Sequence, residues 1–138
     1  MTITPEFLDQ LTEQAKASPR LRMNYDMRTP SGEPGVQSRD TSQRMLNALE
    51  PGTEVPVHRH PATSETVVML RGRGVQYFYN DRGEVTEEVL MEAGGPCQIM
   101  SVEAGRWHRL VSLESGTVIF ECKDGAFEPR REEDVLTL

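Results

Sequence analysis

The chain has 138 residues, with 15 Lys+Arg against 22 Asp+Glu, a formal net charge of −7, three His and two Cys. That length suits one domain around one hydrophobic core, and the acidic balance argues against a nucleic-acid partner, because phosphate binding needs clustered Lys and Arg. No apolar run approaches the roughly 20 residues of a membrane helix. Residues 1–6 lack the basic and apolar regions of a signal peptide, and Cys97 and Cys122 match no disulfide framework or CxxC site, so the expectation is a cytoplasmic protein with reduced thiols.

Thr4 followed by Pro5 reads as an N-cap and a first helical residue. Phe7, Leu8, Leu11 and Ala15 recur at helical spacing, so a helix is expected over 5–17, ended by Ser18-Pro19. Residues 21–27 can form a first strand. The stretch 28–42 is rich in Gly, Pro, Ser, Asp and Arg without apolar period, and reads as a mobile loop near an opening or as a disordered surface insertion. From 43 to 125 the pattern is short strands between turn signals: 44–49, 54–60, 65–71, 75–79, 85–91, 98–102, 107–113 and 117–123, with Asn80-Asp81-Arg82-Gly83 marking a hairpin. The tail 126–138 is mostly charged and has no assignment. About eight short strands and one N-terminal helix predict an all-β barrel or jelly roll.

His58 and His60 lie two apart on an expected strand, so both imidazoles face one side and can converge on one metal ion, with Arg59 facing the other. The turn 61–64 resets the phase, so that Glu65, Val67 and Met69 share a face. A carboxylate entering an apolar barrel face needs a partner, and a divalent cation is one. His108 follows the turn 103–106 and shares a face with Leu110 and Ser112.

The segment from Gly52 through His58, His60 and Glu65 to Gly72 resembles the first motif of the cupin superfamily, G-x5-H-x-H-x4-E-x6-G, at every specified position. Gly105-Arg106-Trp107-His108 is similar to the core of the second motif, with Glu103 in place of its proline and Ser112 in place of its asparagine. Ser18–Tyr25, Leu49–Thr53 and Phe120–Gly125 look like the WbuC-type family of cupin fold metalloproteins. These resemblances imply a double-stranded β-helix with one divalent transition metal (Zn, Fe, Mn or Ni) on His58, His60, Glu65 and His108. They also imply an association with bacterial surface polysaccharides and a homodimer using an outer face with Arg59, Thr66, Val68 and Leu70.

Three imidazoles and one carboxylate leave positions open for substrate, but do not select the metal. Arg20, Arg22, Asn24 and Tyr25 form a polar cluster that can hold a carboxylate, phosphate or sugar hydroxyl, or is simply a solvated edge strand. Val67, Met69, Leu110 and Phe120 are expected to line the pocket. Tyr77 and Tyr79 read as core or interface, and Trp107 as packing that fixes His108. Three function classes follow. One is a metal-dependent enzyme on a small polar substrate such as a sugar or sugar nucleotide, by isomerisation, epimerisation or iron-dependent oxygenation. The second is a non-catalytic binding or sensing module, which the lack of a fourth histidine or a free pocket carboxylate favours. The third is a purely structural cupin whose site is vestigial.

Overall fold

Helix α1 spans Pro5–Ala17, with Thr4 Oγ1 accepting from the Phe7 N–H at 3.2 Å and Pro5 in the first turn, where its missing N–H costs nothing. This computed structural model describes residues 1–28, 40–125 and 128–138; most of the 28–42 stretch, with Ala126 and Phe127, lies outside the described residues. After α1 come β1 (Arg22–Asp26), β2 (Gln43–Leu49), β3 (Val57–His58), β4 (Glu65–Arg71), β5 (Arg73–Tyr79), β6 (Val85–Glu92), β7 (Ile99–Val102), β8 (Trp107–Ser112), β9 (Thr117–Lys123) and β10 (Val135–Leu136). They form two five-stranded antiparallel sheets, in orders β1-β2-β9-β4-β7 and β10-β3-β8-β5-β6. No helix among the described residues is long and apolar enough to cross a membrane.

Strand alternation divides the side chains between the two faces of each sheet. On the first sheet, Leu46, Ala48 and Val118 face outward and are covered by Leu11 and Ala15 of α1. Truncating Leu11, 3% exposed, to Ala would cost about 2–4 kcal/mol through lost burial and a residual cavity. Inward, Leu49, Val67, Met69, Met91, Leu110 and Ile119 form the core between the sheets. Tyr79, Trp107 and Val57, with Tyr77 against them, pack on the outside of the second sheet. Between β4 and β5 the chain turns at Gly72, whose φ is +82° and where a Cβ would lie 2.8 Å from the Thr117 Cα. Only glycine fits that turn.

Three expectations change here. The strand expected over 54–60 shrinks to the two residues of β3. Pro56 has no N–H for a ladder, and beyond His58 the backbone is claimed elsewhere: the Arg59 N–H donates to Asp134 O, and the Gly105 N–H donates to His60 O. The unassigned tail forms a single 3₁₀ turn at Glu132–Asp134 and then β10, which pairs Val135 with His58 and Leu136 with Val57. Arg59 does not share an outer face with Thr66, Val68 and Leu70. It belongs to the second sheet, where it pairs with buried Asp134 at 3.0 Å and stacks over Trp107 at 4.4 Å.

Candidate metal centre

The three histidines converge, by a route that differs from simple alternation. His58 ends β3 and lies in register opposite His108 of β8, with ring centroids 4.4 Å apart. His60 has left the strand, yet its ring comes to 5.2 Å from His58 and 5.4 Å from His108. The turn carrying Gly105 (φ +80°) secures it, because the N–H bond to His60 O ties the two histidine-bearing segments together at 2.8 Å. Glu65 reaches in from β4 on the opposite sheet. One carboxylate oxygen is 3.1 Å from His60 Nε2 and the other 3.8 Å from His108 Nε2.

Backbone carbonyls orient two of the rings. His58 Nδ1 meets Pro56 O, and His108 Nδ1 meets Arg106 O, each at 2.8 Å. A carbonyl only accepts, so Nδ1 carries the hydrogen and Nε2 keeps its lone pair. Burial, the largest influence on each, holds His58 well below the ordinary histidine range and His108 below it, so both stay neutral near pH 7. Neutral imidazole is the form that ligates metals.

The residues therefore fit a divalent transition ion. Their ligand nitrogens lie within 4.8 Å of one another. The Nε2 atoms of His60 and His108 are buried without a hydrogen-bond partner, the Glu65 approach to His60 being close but outside hydrogen-bond geometry. Unpartnered buried acceptors are costly unless something takes their lone pairs. His58, His60 and His108, with Glu65 beside them, would hold the ion; its identity is not selected by these ligands.

The centre opens into a cavity of about 760 Å³ between the sheets. Val67 and Leu110 line it as expected from sequence, and so do Arg20, Arg22 and Asn24. Three expected members do not. Tyr25 alternates away from Asn24 and packs edge-on against Phe7 of α1 at 4.9 Å. Phe120 faces the helix among Leu11, Ala15 and Leu46. Met69 lies on the inward face but is fully buried in the core beneath the cavity.

Among the lining residues that were not foreseen, four bear on the site. Gln43 and Gln76, 5% and 1% exposed, each bring a buried amide atom without a partner: Oε1 of Gln43 and Nε2 of Gln76. Glu121 projects from β9 between Ile119 and Lys123, and burial together with the charge of Glu65 pushes its carboxyl up to about 8. It is a pocket carboxylate beside Glu65, of the kind whose lack was expected. Arg130 enters from the tail, with Nη2 3.5 Å from His58 Nε2. The signal for Glu121 was the phase of β9, where Val118, Ile119 and Phe120 are apolar on both faces. Once α1 claims Val118 and Phe120, the odd-numbered residues must point inward.

A family model described as a domain of unknown function (DUF6016) matches residues 3–91. No curated protein matches the chain. Among solved structures, the capsular polysaccharide assembling protein CapF from Staphylococcus aureus is similar with a TM-score of 0.61 and 19% identity, over 85% of this chain and 31% of that one. The present chain thus spans about a third of CapF. KdgF from Halomonas sp. is similar with a TM-score of 0.55 and 14% identity, over 84% of this chain and 86% of that one. Oxalate oxidase in complex with the substrate analogue glycolate gives 0.58 and 13%, over 79% and 53%. Similarity at these identities concerns the fold, a cupin-like sandwich of two antiparallel sheets with one N-terminal helix.

Proposed function

Because the chain belongs to the DUF6016 family, whose description assigns no activity, we propose from its own site that it is a metal-dependent cupin enzyme acting on a small polar molecule. The observation that carries this is the convergence of three imidazoles, with the Nε2 atoms of His60 and His108 unpartnered, at the floor of an open cavity. Held by His58, His60 and His108 with Glu65, a divalent transition ion would supply Lewis acidity toward a hydroxyl or carbonyl oxygen. The rest belongs to the chain. Gln43 offers an unspent acceptor and Gln76 an unspent donor, the pair of functions a sugar hydroxyl needs. Val67, Leu110 and Ile119 exclude water below them. Glu121 is placed to carry a proton at its carboxyl, which favours isomerisation or epimerisation; iron-dependent oxygenation, which the ligand set also allows, has no need of it.

The WbuC-type resemblance of 18–25, 49–53 and 120–125 supports a sugar or sugar-nucleotide substrate in bacterial surface-polysaccharide metabolism. CapF, a capsular polysaccharide assembling protein of similar fold, is consistent with that setting. The same reading places the protein in the cytoplasm as a homodimer, without nucleic-acid or membrane partners. Leu70 and Ile99, 39% and 62% exposed on the first sheet, supply apolar surface for the dimer. Light scattering that finds only monomer would remove that element.

The deciding experiment is elemental analysis of protein purified without chelator, beside His58→Ala and His108→Ala variants. About one ion per chain, lost in both variants, supports the reading. Stoichiometric metal in both folded variants, or none in the parent protein after reloading, refutes it. A non-catalytic binding module loses its main support in Glu121. It would regain it if metal-loaded protein bound sugars by calorimetry and Glu121→Gln changed no turnover.

A further inference from the structure

Arg130 is an arginine in an unusual place. It arrives from the tail, which is held by the β10–β3 pairing and by the Arg59–Asp134 ion pair, and it extends its guanidinium over the metal centre. Its Nη2 points at the lone pair of His58 Nε2, the atom left free because Nδ1 is committed to Pro56 O. A lone pair serves one partner. Any cation taken up by the three imidazoles displaces the guanidinium from it, and two positive centres then stand close together.

Glu65 offsets part of such an ion's charge, but among the described residues no carboxylate lies within ion-pairing distance of Arg130. Among the described residues, Arg20, Arg22 and Arg130 form no ion pair, although all three line the cavity. Glu65 attracts Arg130 from beyond 4.0 Å, as does Glu121 once ionised, and Arg20 repels it. Two cationic centres facing one cavity are reconciled by an anion between them. The planar guanidinium fork matches a carboxylate in two parallel bonds. A doubly charged phosphate fits less well, because the Glu65 carboxylate faces the same space. Gln43 and Gln76, nine-tenths or more buried with one unpartnered acceptor and one unpartnered donor, are suited to neighbouring hydroxyls.

We infer that the substrate is a hydroxy carboxylate, its acid group held by Arg130 with Arg20 while one oxygen approaches the metal. This rests on the metal-dependent reading above. The test is calorimetry on zinc-loaded protein at pH 7 with racemic glycerate, with glycerol as the neutral counterpart, and with inorganic phosphate. Glycerate is expected to bind, glycerol at least about ten-fold more weakly for the loss of one charged hydrogen bond, and phosphate more weakly than glycerate through repulsion by Glu65. Arg130→Ala should weaken glycerate by at least about ten-fold, and Arg130→Lys by less, because a point charge lacks the fork. Zinc affinity measured without glycerate should hold or rise in Arg130→Ala, since a competitor for His58 Nε2 is gone. Equal glycerate binding by parent and Arg130→Ala overturns the anchoring role. Phosphate binding tighter than glycerate overturns the carboxylate class. Zinc-loaded protein that ignores glycerate overturns this inference alone, whereas failure to take up zinc overturns the metal-dependent reading with it.

Discussion

Replacing Glu65 by Gln separates the metal from the fold, because the two respond with opposite sign. The Glu65 carboxylate is 5% exposed and faces His60 Nε2 at 3.1 Å and His108 Nε2 at 3.8 Å. Since burial keeps His108 neutral, the carboxylate gains little from it without a metal ion, and its desolvation weighs against folding. Glutamine keeps the shape and removes the charge. In chelator-treated protein the variant should be as stable as the parent, or more stable by about 1 kcal/mol. With metal the order reverses. Loss of a group that merely supports a ligand lowers metal affinity by about 10–100-fold, so loss of a ligand charge is set at about 100-fold. At a metal concentration about 1,000 times the parent Kd, binding stabilises the parent by about 4 kcal/mol and the variant, at about 10 times its own Kd, by about 1.4 kcal/mol. For a chain this size about 1 kcal/mol moves Tm by roughly 3–5 °C, so the metal-induced rise should shrink by roughly 8–13 °C. Thermal denaturation with and without added zinc reads both effects. An undiminished metal-induced rise in the variant shows that Glu65 is not a ligand. A loss of several kcal/mol without metal shows that its carboxylate is structural instead.

Gly72→Ala should destabilise by about 3 kcal/mol or more, since its Cβ would run into Thr117 Oγ1 and lie 2.8 Å from Thr117 Cα at a φ of +82°; a urea midpoint equal to that of the parent contradicts this. The Glu121 carboxyl, raised from 4.5 to about 8, binds its proton more tightly folded than unfolded. Its stabilisation is therefore full below about pH 4.5 and is lost as pH rises through about 8, so chelator-treated Glu121→Gln should show a flatter fall in stability across that window; parallel curves refute the burial. Asp134→Asn, which removes the partner of Arg59, should cost about 1–3 kcal/mol and weaken metal binding by loosening the 58–60 segment, measured by denaturation and by competition with a chromogenic chelator. Unchanged metal affinity at reduced stability would confine Asp134 to the fold.

Local chemistry made much of this legible. Thr4-Pro5 marks the start of α1 because a side-chain cap and a preset φ act within one turn. Glu65, Val67 and Met69 fall on one face because β4 is regular there, up to the irregularity between Met69 and Arg71. The histidine cluster follows from residue type and spacing, although His60 reaches it from outside the strand. What escaped depends on neighbours remote in sequence. The inward turn of Glu121 is set by which face α1 covers, and both faces of β9 are apolar. Arg130 was hidden for a similar reason. A charged tail carries no period, and the pairing that places it is with residues nearly 80 positions earlier, an interaction that sequence periodicity does not register.

The pairing of β10 with β3 bears on how the protein comes into being. His58 and His60 emerge early in synthesis, and an exposed pair of histidines can capture stray metal in an open chain. Here they lack the backing that fixes them until three later segments arrive: β8 with His108, the Gly105 turn that clasps His60, and the 134–136 stretch that receives Arg59 and zips onto β3. Ordering such distant segments carries a large loop-closure cost, met only when the sandwich condenses as a unit. A metal ion held by these residues would therefore be gripped tightly only once residues 134–136 have joined β3, and a product cut before that point should bind it more weakly.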